Sequence, residues 1–277
     1  MRELLSRIDG ALGVRYAAAE LETIRKALCL ELLGISAVTY YTKERLAPDY
    51  ERDRKLETAL RRLESGEPLQ YVIGWVPFCG LQFKVDNRVL IPRPETSELV
   101  EWVAGDCTAT GTLLDIGTGS GCIAVTLAHK LPSWRVQGWD ISDGALELAR
   151  ENSLLNGTDV EFFRVDILND PPLGQKYDVI VSNPPYVLEA ERSLMEPVVL
   201  EHEPHVALFV PDSDPLLFYT SIARYGRKAL DKGGRLYFEI NPIEATPLMQ
   251  MLAQAGYRNI ELRNDIYGKQ RMIKAIL

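Results

Sequence analysis

The stretch Leu113-Leu114-Asp115-Ile116-Gly117-Thr118-Gly119-Ser120-Gly121 constrains this chain more than any other. A short apolar run followed by alternate glycines reads as a buried strand turning sharply into a helix. Glycine has no Cβ, so such a loop lets a ligand come close to the backbone. From Thr112 onward, strand and helix patterns alternate, which predicts an α/β fold with a parallel sheet and helices on both faces. The predicted strands are 113–116, Trp134–Trp139 ending at Asp140, Val160–Val165 ending at Asp166, and Tyr177–Val181 ending at Asn183. They continue with Arg235–Ile240, Asn259–Leu262 and Arg271–Ile276, seven in all. The helices expected between them cover Ile123–Lys130, a segment capped by Ser142, Leu216–Leu230 stopped by Gly233-Gly234, and Glu244–Ala255.

The first part of the chain has another character. Up to about residue 66 it reads as helices, with Arg15–Leu33 and Pro48–Ser65 carrying leucines at helical spacing and Tyr40 and Tyr41 between them. Trp75–Val85 looks like a hairpin turning near Gly80, and the prolines of Ile91-Pro92-Arg93-Pro94-Glu95-Thr96 mark a stiff connector. The expected division is a helical domain over 1–72, a hairpin linker over 73–92 and an α/β domain over 93–277.

The glycine loop departs from the dinucleotide fingerprint, in which the third glycine comes three residues after the second; here Gly121 follows Gly119 by two. No lysine follows, so the loop is not a P-loop. Asp115, Asp140 and Asp166 recur at near-equal intervals at predicted strand ends, the edge where open α/β sheets bind ligands. Gly117, Thr118, Gly119, Ser120 and Gly121 form the candidate cradle. Asp140 is placed for a ribose diol, Asp166 for an adenine amino group, and Ile141 and Ile167 for the two faces of the base. Such an acidic lining repels a pyrophosphate and favours a cation. S-adenosyl-L-methionine, with its adenosine, sulfonium and amino-acid tail, fits better than a nicotinamide cofactor.

The fourth predicted strand ends in Asn183-Pro184-Pro185-Tyr186. Asn183 and Pro184 each precede a proline, which holds both extended. The result is a rigid platform with an amide oxygen, free backbone carbonyls and an aromatic ring. It suits a planar, conjugated NH2, whose two hydrogens need acceptors before the nitrogen can face an electrophile. Asn183, Pro184 and Tyr186 are the catalytic candidates, with Pro185 completing the substrate platform and Asn183 also facing the cofactor. The four cysteines form no C-x-x-C pair and the three histidines no ligand pattern, so no metal is expected.

Together these residues resemble class I (Rossmann-like) methyltransferases acting on an amino nitrogen. Further landmarks narrow the resemblance: Gly66-Glu67-Pro68-Leu69-Gln70-Tyr71-Val72-Ile73-Gly74, the connector Ile91–Thr96, Glu203-Pro204 with Ala207-Leu208, and Asp265 with Gly268 and Arg271. These are similar to the release-factor glutamine methyltransferases, the PrmC/HemK family, over nearly the whole length. The resemblance implies a substrate-recognising helical domain and methylation of N5 of the glutamine in the Gly-Gly-Gln motif of class I peptide chain release factors. Two departures stand out: Val210–Asp214 replaces a glycine-containing turn, and Asn241-Pro242 stands where glycine is common.

A nucleic-acid amino methyltransferase (adenine N6 or guanine N2) would present the same conjugated NH2, and a non-catalytic scaffold could use the acidic residues as helix caps. Net charge of −8 opposes a bare nucleic-acid substrate. Residues 1–72 are charge-balanced and the acidic excess lies in the remainder. There is no apolar run of about 18 residues and no signal-like N-terminus, so a cytoplasmic protein without membrane contact is expected.

Overall fold

The structure is a computed structural model that describes residues 1–169 and 171–277. It divides into two compact units, Met1–Trp75 with Pro197–His202, and Val76–Glu196 with Glu203–Leu277.

The first unit is helical. α1 (Arg2–Leu12) buries Leu4, Ile8 and Leu12, four residues apart and so on one face. α2 (Ala18–Lys26) passes directly into a π-helical stretch, Ala27–Leu32, so the single expected helix over 15–33 is wider in its second half. α3 (Ala37–Thr42) starts at Ser36, whose hydroxyl accepts the Thr39 amide at 3.1 Å, and so includes Tyr40 and Tyr41. α4 (Tyr50–Glu64) starts at Asp49, whose carboxylate accepts the Arg52 amide at 3.0 Å. It buries Leu56, Ala59, Leu60 and Leu63 against Ile8, Leu28 and Val72, the last on α5 (Leu69–Ile73).

The second unit opens with β1 (Trp75–Phe78) and β2 (Leu81–Lys84), a two-stranded sheet. Cys79 and Gly80 connect them with φ of 48° and 80°, the left-handed pair that a two-residue hairpin turn requires. α6 (Pro94–Asp106) follows, with proline in its first turn where a missing N–H costs nothing.

The main sheet contains β3 (Gly111–Ile116), β4 (Trp134–Asp140), β5 (Val160–Arg164), β6 (Tyr177–Ser182), β9 (Leu230–Glu239), β10 (Arg258–Asn264) and β11 (Gln270–Ile276), in the order β10-β11-β9-β6-β3-β4-β5. Six strands run in one direction and β11 in the other, antiparallel to both β9 and β10, so the sheet is mixed where the sequence predicts a parallel one. β6 is almost wholly buried, which its apolar run requires of a central parallel strand. α7 (Cys122–Lys130) and α8 (Asp143–Leu155) follow β3 and β4.

Two short strands, β7 (Val187–Leu188) and β8 (Phe209–Val210), pair in parallel beyond the Asn-Pro-Pro-Tyr platform. The segment between them contains the short helix α9 (Pro197–His202). α10 (Leu217–Ala229) ends directly on β9, five residues before the expected strand start. Gly233-Gly234 do not end the helix. They lie in β9, at the irregularity where its pairing with β6 jumps from Leu230 to Arg235. Gly233 has φ of 82°, and a Cβ on Gly234 would lie 2.8 Å from the Asp231 carbonyl, so this kink admits only glycine. α11 (Ala245–Gln254) precedes β10.

Register sets the site. Ile116 pairs with Trp139 on one side and Ser182 on the other, while Ser182 pairs with Phe238. The next residues, Gly117, Asp140, Asn183 and Glu239, therefore emerge side by side at the carboxyl edge.

Candidate active site

Along this edge lies a cavity of about 280 Å³. Of the residues expected from the sequence, Gly117, Thr118, Gly119, Ser120, Asp140, Ile141, Asp166, Ile167, Asn183, Pro184 and Pro185 line it. Asp115, Gly121 and Tyr186 are not among its lining residues.

The glycine loop is held by main-chain bonds. The Gly117 and Thr118 amides both donate to the Trp139 carbonyl, at 2.8 and 2.9 Å. Gly117 and Gly119 have φ of 75° and 53°, and a Cβ on Gly119 would meet nothing within 4 Å, so open space faces the loop. Gly121 serves packing instead: a Cβ there would lie 3.2 Å from the Ala149 Cβ on α8. Asn152, on the same helix and fully buried, donates to the Ser120 carbonyl at 2.9 Å and to the Lys84 carbonyl at 3.0 Å. It thereby ties the hairpin to the loop.

Asp140 is the last residue of its strand. Its Oδ2 accepts the Gly119 amide and its Oδ1 the Ser142 amide, both at 2.9 Å. Each oxygen keeps a second lone pair, so the carboxylate can still accept two hydroxyls. Burial pushes its carboxyl above the ordinary value while these backbone amides pull it back. Asp166 accepts the Leu168 amide at 2.9 Å and the Asn169 side chain at 2.7 Å. Ile141 is 44% exposed and faces the cavity along with Ile167. This set matches S-adenosylmethionine chemically: an acidic edge for a cation, a diol acceptor and apolar walls for a base.

Asp115 is the penultimate residue of β3 and points beneath the loop. It is completely buried and accepts the Thr118 hydroxyl at 2.7 Å. Burial pushes its carboxyl up to about 7, against the Thr118 hydrogen bond. Its contribution to stability is therefore full below about pH 4 and is lost as the pH rises toward that value. Asp115→Asn removes the titration. The variant should gain about 2.6 kcal/mol of stability relative to the parent between pH 5 and pH 8, at about 1.4 kcal/mol per pH unit up to about pH 7 and little beyond it. Urea unfolding at both pH values measures this, and a constant difference would contradict it.

The platform residues are braced from behind. Asn183 Nδ2 donates to Thr96 Oγ1 at 3.3 Å, and Thr96 Oγ1 donates to Glu239 Oε2 at 2.6 Å. The Tyr186 hydroxyl donates to Glu239 Oε1 at 3.0 Å, and its ring packs against the core formed by β3, β6, β9 and α10. Burial, then the Glu239 charge, pushes the Tyr186 hydroxyl far above its ordinary value, so it remains a donor. Asn241 donates to the Tyr186 carbonyl at 3.3 Å, which gives one departure from the resembled pattern a structural use. Arg93 lines the cavity and donates to the buried Glu203 at 2.7 Å; Glu203 also accepts the Ile91 amide at 3.1 Å. No local sequence signal marks Thr96, Glu239 or Glu203 as site residues, although Thr96 and Glu203 lie in the connector and the Glu203-Pro204 landmark.

Two family models match the chain: the methyltransferase small domain over residues 95–201, and the PrmC N-terminal domain over residues 3–74. A curated relative from Bacteroides thetaiotaomicron, named release factor glutamine methyltransferase, is 43% identical over 99% of both chains. A relative of the same name from Flavobacterium psychrophilum is 45% identical over 83% of this chain and 84% of its own. Among solved structures, a methyltransferase from Pyrococcus furiosus aligns with TM-score 0.55 at 14% identity, over 82% of this chain and 98% of its own. The human methyltransferase 10 domain containing protein aligns with TM-score 0.51 at 18% identity, over 71% of this chain and 89% of its own. Both structures share the class I methyltransferase fold. Among the described residues, no helix is long and apolar enough to cross a membrane.

Proposed function

This chain belongs to the release factor glutamine methyltransferase family, and from that membership we infer its reaction. It transfers a methyl group from S-adenosyl-L-methionine to the side-chain amide nitrogen of the glutamine in the Gly-Gly-Gln motif of class I peptide chain release factors. One observation supports this most: the Asn183-Pro184 platform stands level with Gly117 and Asp140 on one cavity. A conjugated NH2 and a methyl donor can therefore share it. Incubation with labelled S-adenosylmethionine and either a release factor or nucleic acid tests the reading. Label should enter the Gly-Gly-Gln peptide; label entering only nucleic acid would contradict it.

The residues divide the work as follows. Gly117 and Gly119 admit the donor to the backbone, Asp140 takes its ribose, Asp166 its adenine amino group, and Ile141 and Ile167 flank the base. Bound there, the donor supplies an electrophilic methyl group on a sulfonium that departs as a neutral thioether. A glutamine amide nitrogen is a poor nucleophile, because its lone pair is delocalised into the carbonyl. Orientation therefore matters more than proton removal. Asn183 Oδ1 and the Pro184 carbonyl accept the two N–H hydrogens and turn the nitrogen toward the methyl group; after the N–C bond forms and the C–S bond breaks, one of those hydrogens leaves as a proton. Tyr186 braces the platform through Glu239. Apolar residues such as Ala207 and Phe218 line the same cavity.

The helical unit is read as the recognition surface for the substrate protein, since one glutamine must be chosen among many. Deleting residues 1–72 should reduce activity on the whole release factor more than on a short Gly-Gly-Gln peptide. Assays on the two substrates measure this, and equal losses would contradict it. The net charge of −8 supports a protein substrate over bare nucleic acid, and a release-factor substrate implies work in the cytoplasm.

A further inference from the structure

We propose that Thr96 and Glu239 are positioning residues: together they fix which atom of the Asn183 side-chain amide faces the substrate. This rests on the reading of Asn183 as the acceptor for the glutamine NH2, and extends it to the machinery that makes Asn183 an acceptor.

An asparagine amide has two nearly isosteric ends, a carbonyl that accepts and an NH2 that donates. Only one orientation serves the reaction. If the NH2 faced the glutamine, donor would meet donor and the substrate nitrogen would be turned away. Something must choose between the two.

Proton counting along the side-chain relay makes the choice. Glu239 is buried, and its two oxygens accept from two hydroxyls, Thr96 Oγ1 at 2.6 Å and Tyr186 at 3.0 Å. In this geometry both carboxyl oxygens act as acceptors, so each hydroxyl gives its proton to Glu239. The Thr96 hydroxyl has one proton, and Glu239 takes it. Only lone pairs are left on Thr96 Oγ1, so the Asn183 atom beside it at 3.3 Å must be the donor, Nδ2. Asn183 Oδ1 is thereby released for the substrate. With the amide reversed, Oδ1 would lie against those lone pairs, and a half-buried acceptor pair without a proton is costly.

Three separate elements supply the relay: Thr96 from the first turn of α6, Asn183 from the end of β6 and Glu239 from the end of β9. The pairing of Ser182 with Phe238 sets Glu239 beside Asn183. Tyr219 donates to the Glu239 carbonyl at 3.1 Å and fixes its backbone. Burial pushes the Glu239 carboxyl up, and the Thr96 and Tyr186 hydrogen bonds and the Arg271 charge oppose it.

The test compares Thr96→Val, Thr96→Ser, Glu239→Gln and Asn183→Ala in the full-length protein with a release factor as substrate. It measures kcat, KM for the factor, the calorimetric Kd for S-adenosylmethionine and the melting temperature. Thr96→Val, near in shape but without the hydroxyl, should lose about 10- to 100-fold in kcat, the range of one charge-linked hydrogen bond. Its cofactor Kd should stay within about threefold, because Thr96 lines the cavity beside Asn183 and is not part of the Gly117–Gly121 cradle. Thr96→Ser should recover most of the loss. Glu239→Gln should also lower kcat, since an amide supplies a donor where the relay needs an acceptor. If Thr96→Val does not fold, Thr96→Ala makes the same comparison.

If Thr96→Val keeps its kcat while Asn183→Ala loses it, the relay is wrong and the role of Asn183 stands. If Asn183→Ala keeps its kcat, both fall. A Thr96→Val loss shared equally by cofactor binding, and not recovered by serine, would mean a merely structural contact and would also overturn the proposal.

Discussion

Asn183→Ala should bind S-adenosylmethionine within a few-fold of the parent and turn over about 10²- to 10³-fold more slowly, the loss typical of removing one preorganised group at a reacting centre. The physical reason is the weakness of the nucleophile. Holding two reactants in line can lower a barrier by about 7 kcal/mol or more, and here little else is available to activate an amide nitrogen. Alanine leaves the Pro184 carbonyl in place, so one of the two acceptors remains and activity should not vanish. Asn183 is only half-buried, so its loss should cost little stability. Single-turnover kinetics with a release factor, beside calorimetry of the donor, separates the two effects. Near-normal turnover would remove Asn183 from the chemistry.

Asp140→Ala should have an effect of similar size on a different quantity. Its carboxylate accepts the Gly119 and Ser142 amides, so it shapes the loop and caps the entry into α8 before any ligand binds. It is also read as the acceptor of both ribose hydroxyls. Hydrogen bonds to a charged group are each worth about 1.5–3 kcal/mol. Losing two of them predicts a drop of about 10²-fold or more in donor affinity. Asp140→Asn, which keeps one acceptor, should fall between alanine and the parent. Calorimetry measures both, and an alanine variant binding within about threefold of the parent would contradict the ribose assignment.

Local chemistry made the core of the site legible. Three alternate glycines, strand-end acids and Asn-Pro-Pro-Tyr are short-range signals, and the parallel register brings them level without further instruction. What depended on distant pairing was hidden. Thr96 and Glu239 lie 143 residues apart in the chain, and nothing local marks either as the other's partner. Asp115 looked like Asp140, a strand-end carboxylate. It falls one residue short of its strand's end, and the alternation of side chains turns it under the loop. The direction of β11 has no local signature, because an apolar strand reads the same either way. β7 and β8, two residues each, are too short for any period. Gly233-Gly234 resembled a helix stop because glycine both ends helices and allows kinks in strands, and only the β6 pairing separates the two uses.

The central claim is that Asn183 and Pro184 turn a flat amide toward the methyl donor. A structure with S-adenosylhomocysteine and a Gly-Gly-Gln peptide tests it most directly. The glutamine nitrogen should lie about 3 Å from both Asn183 Oδ1 and the Pro184 carbonyl, with the ligand sulfur on the nitrogen's open face. A glutamine bound elsewhere in the cavity, or a sulfur facing away from residues 183–186, would contradict it.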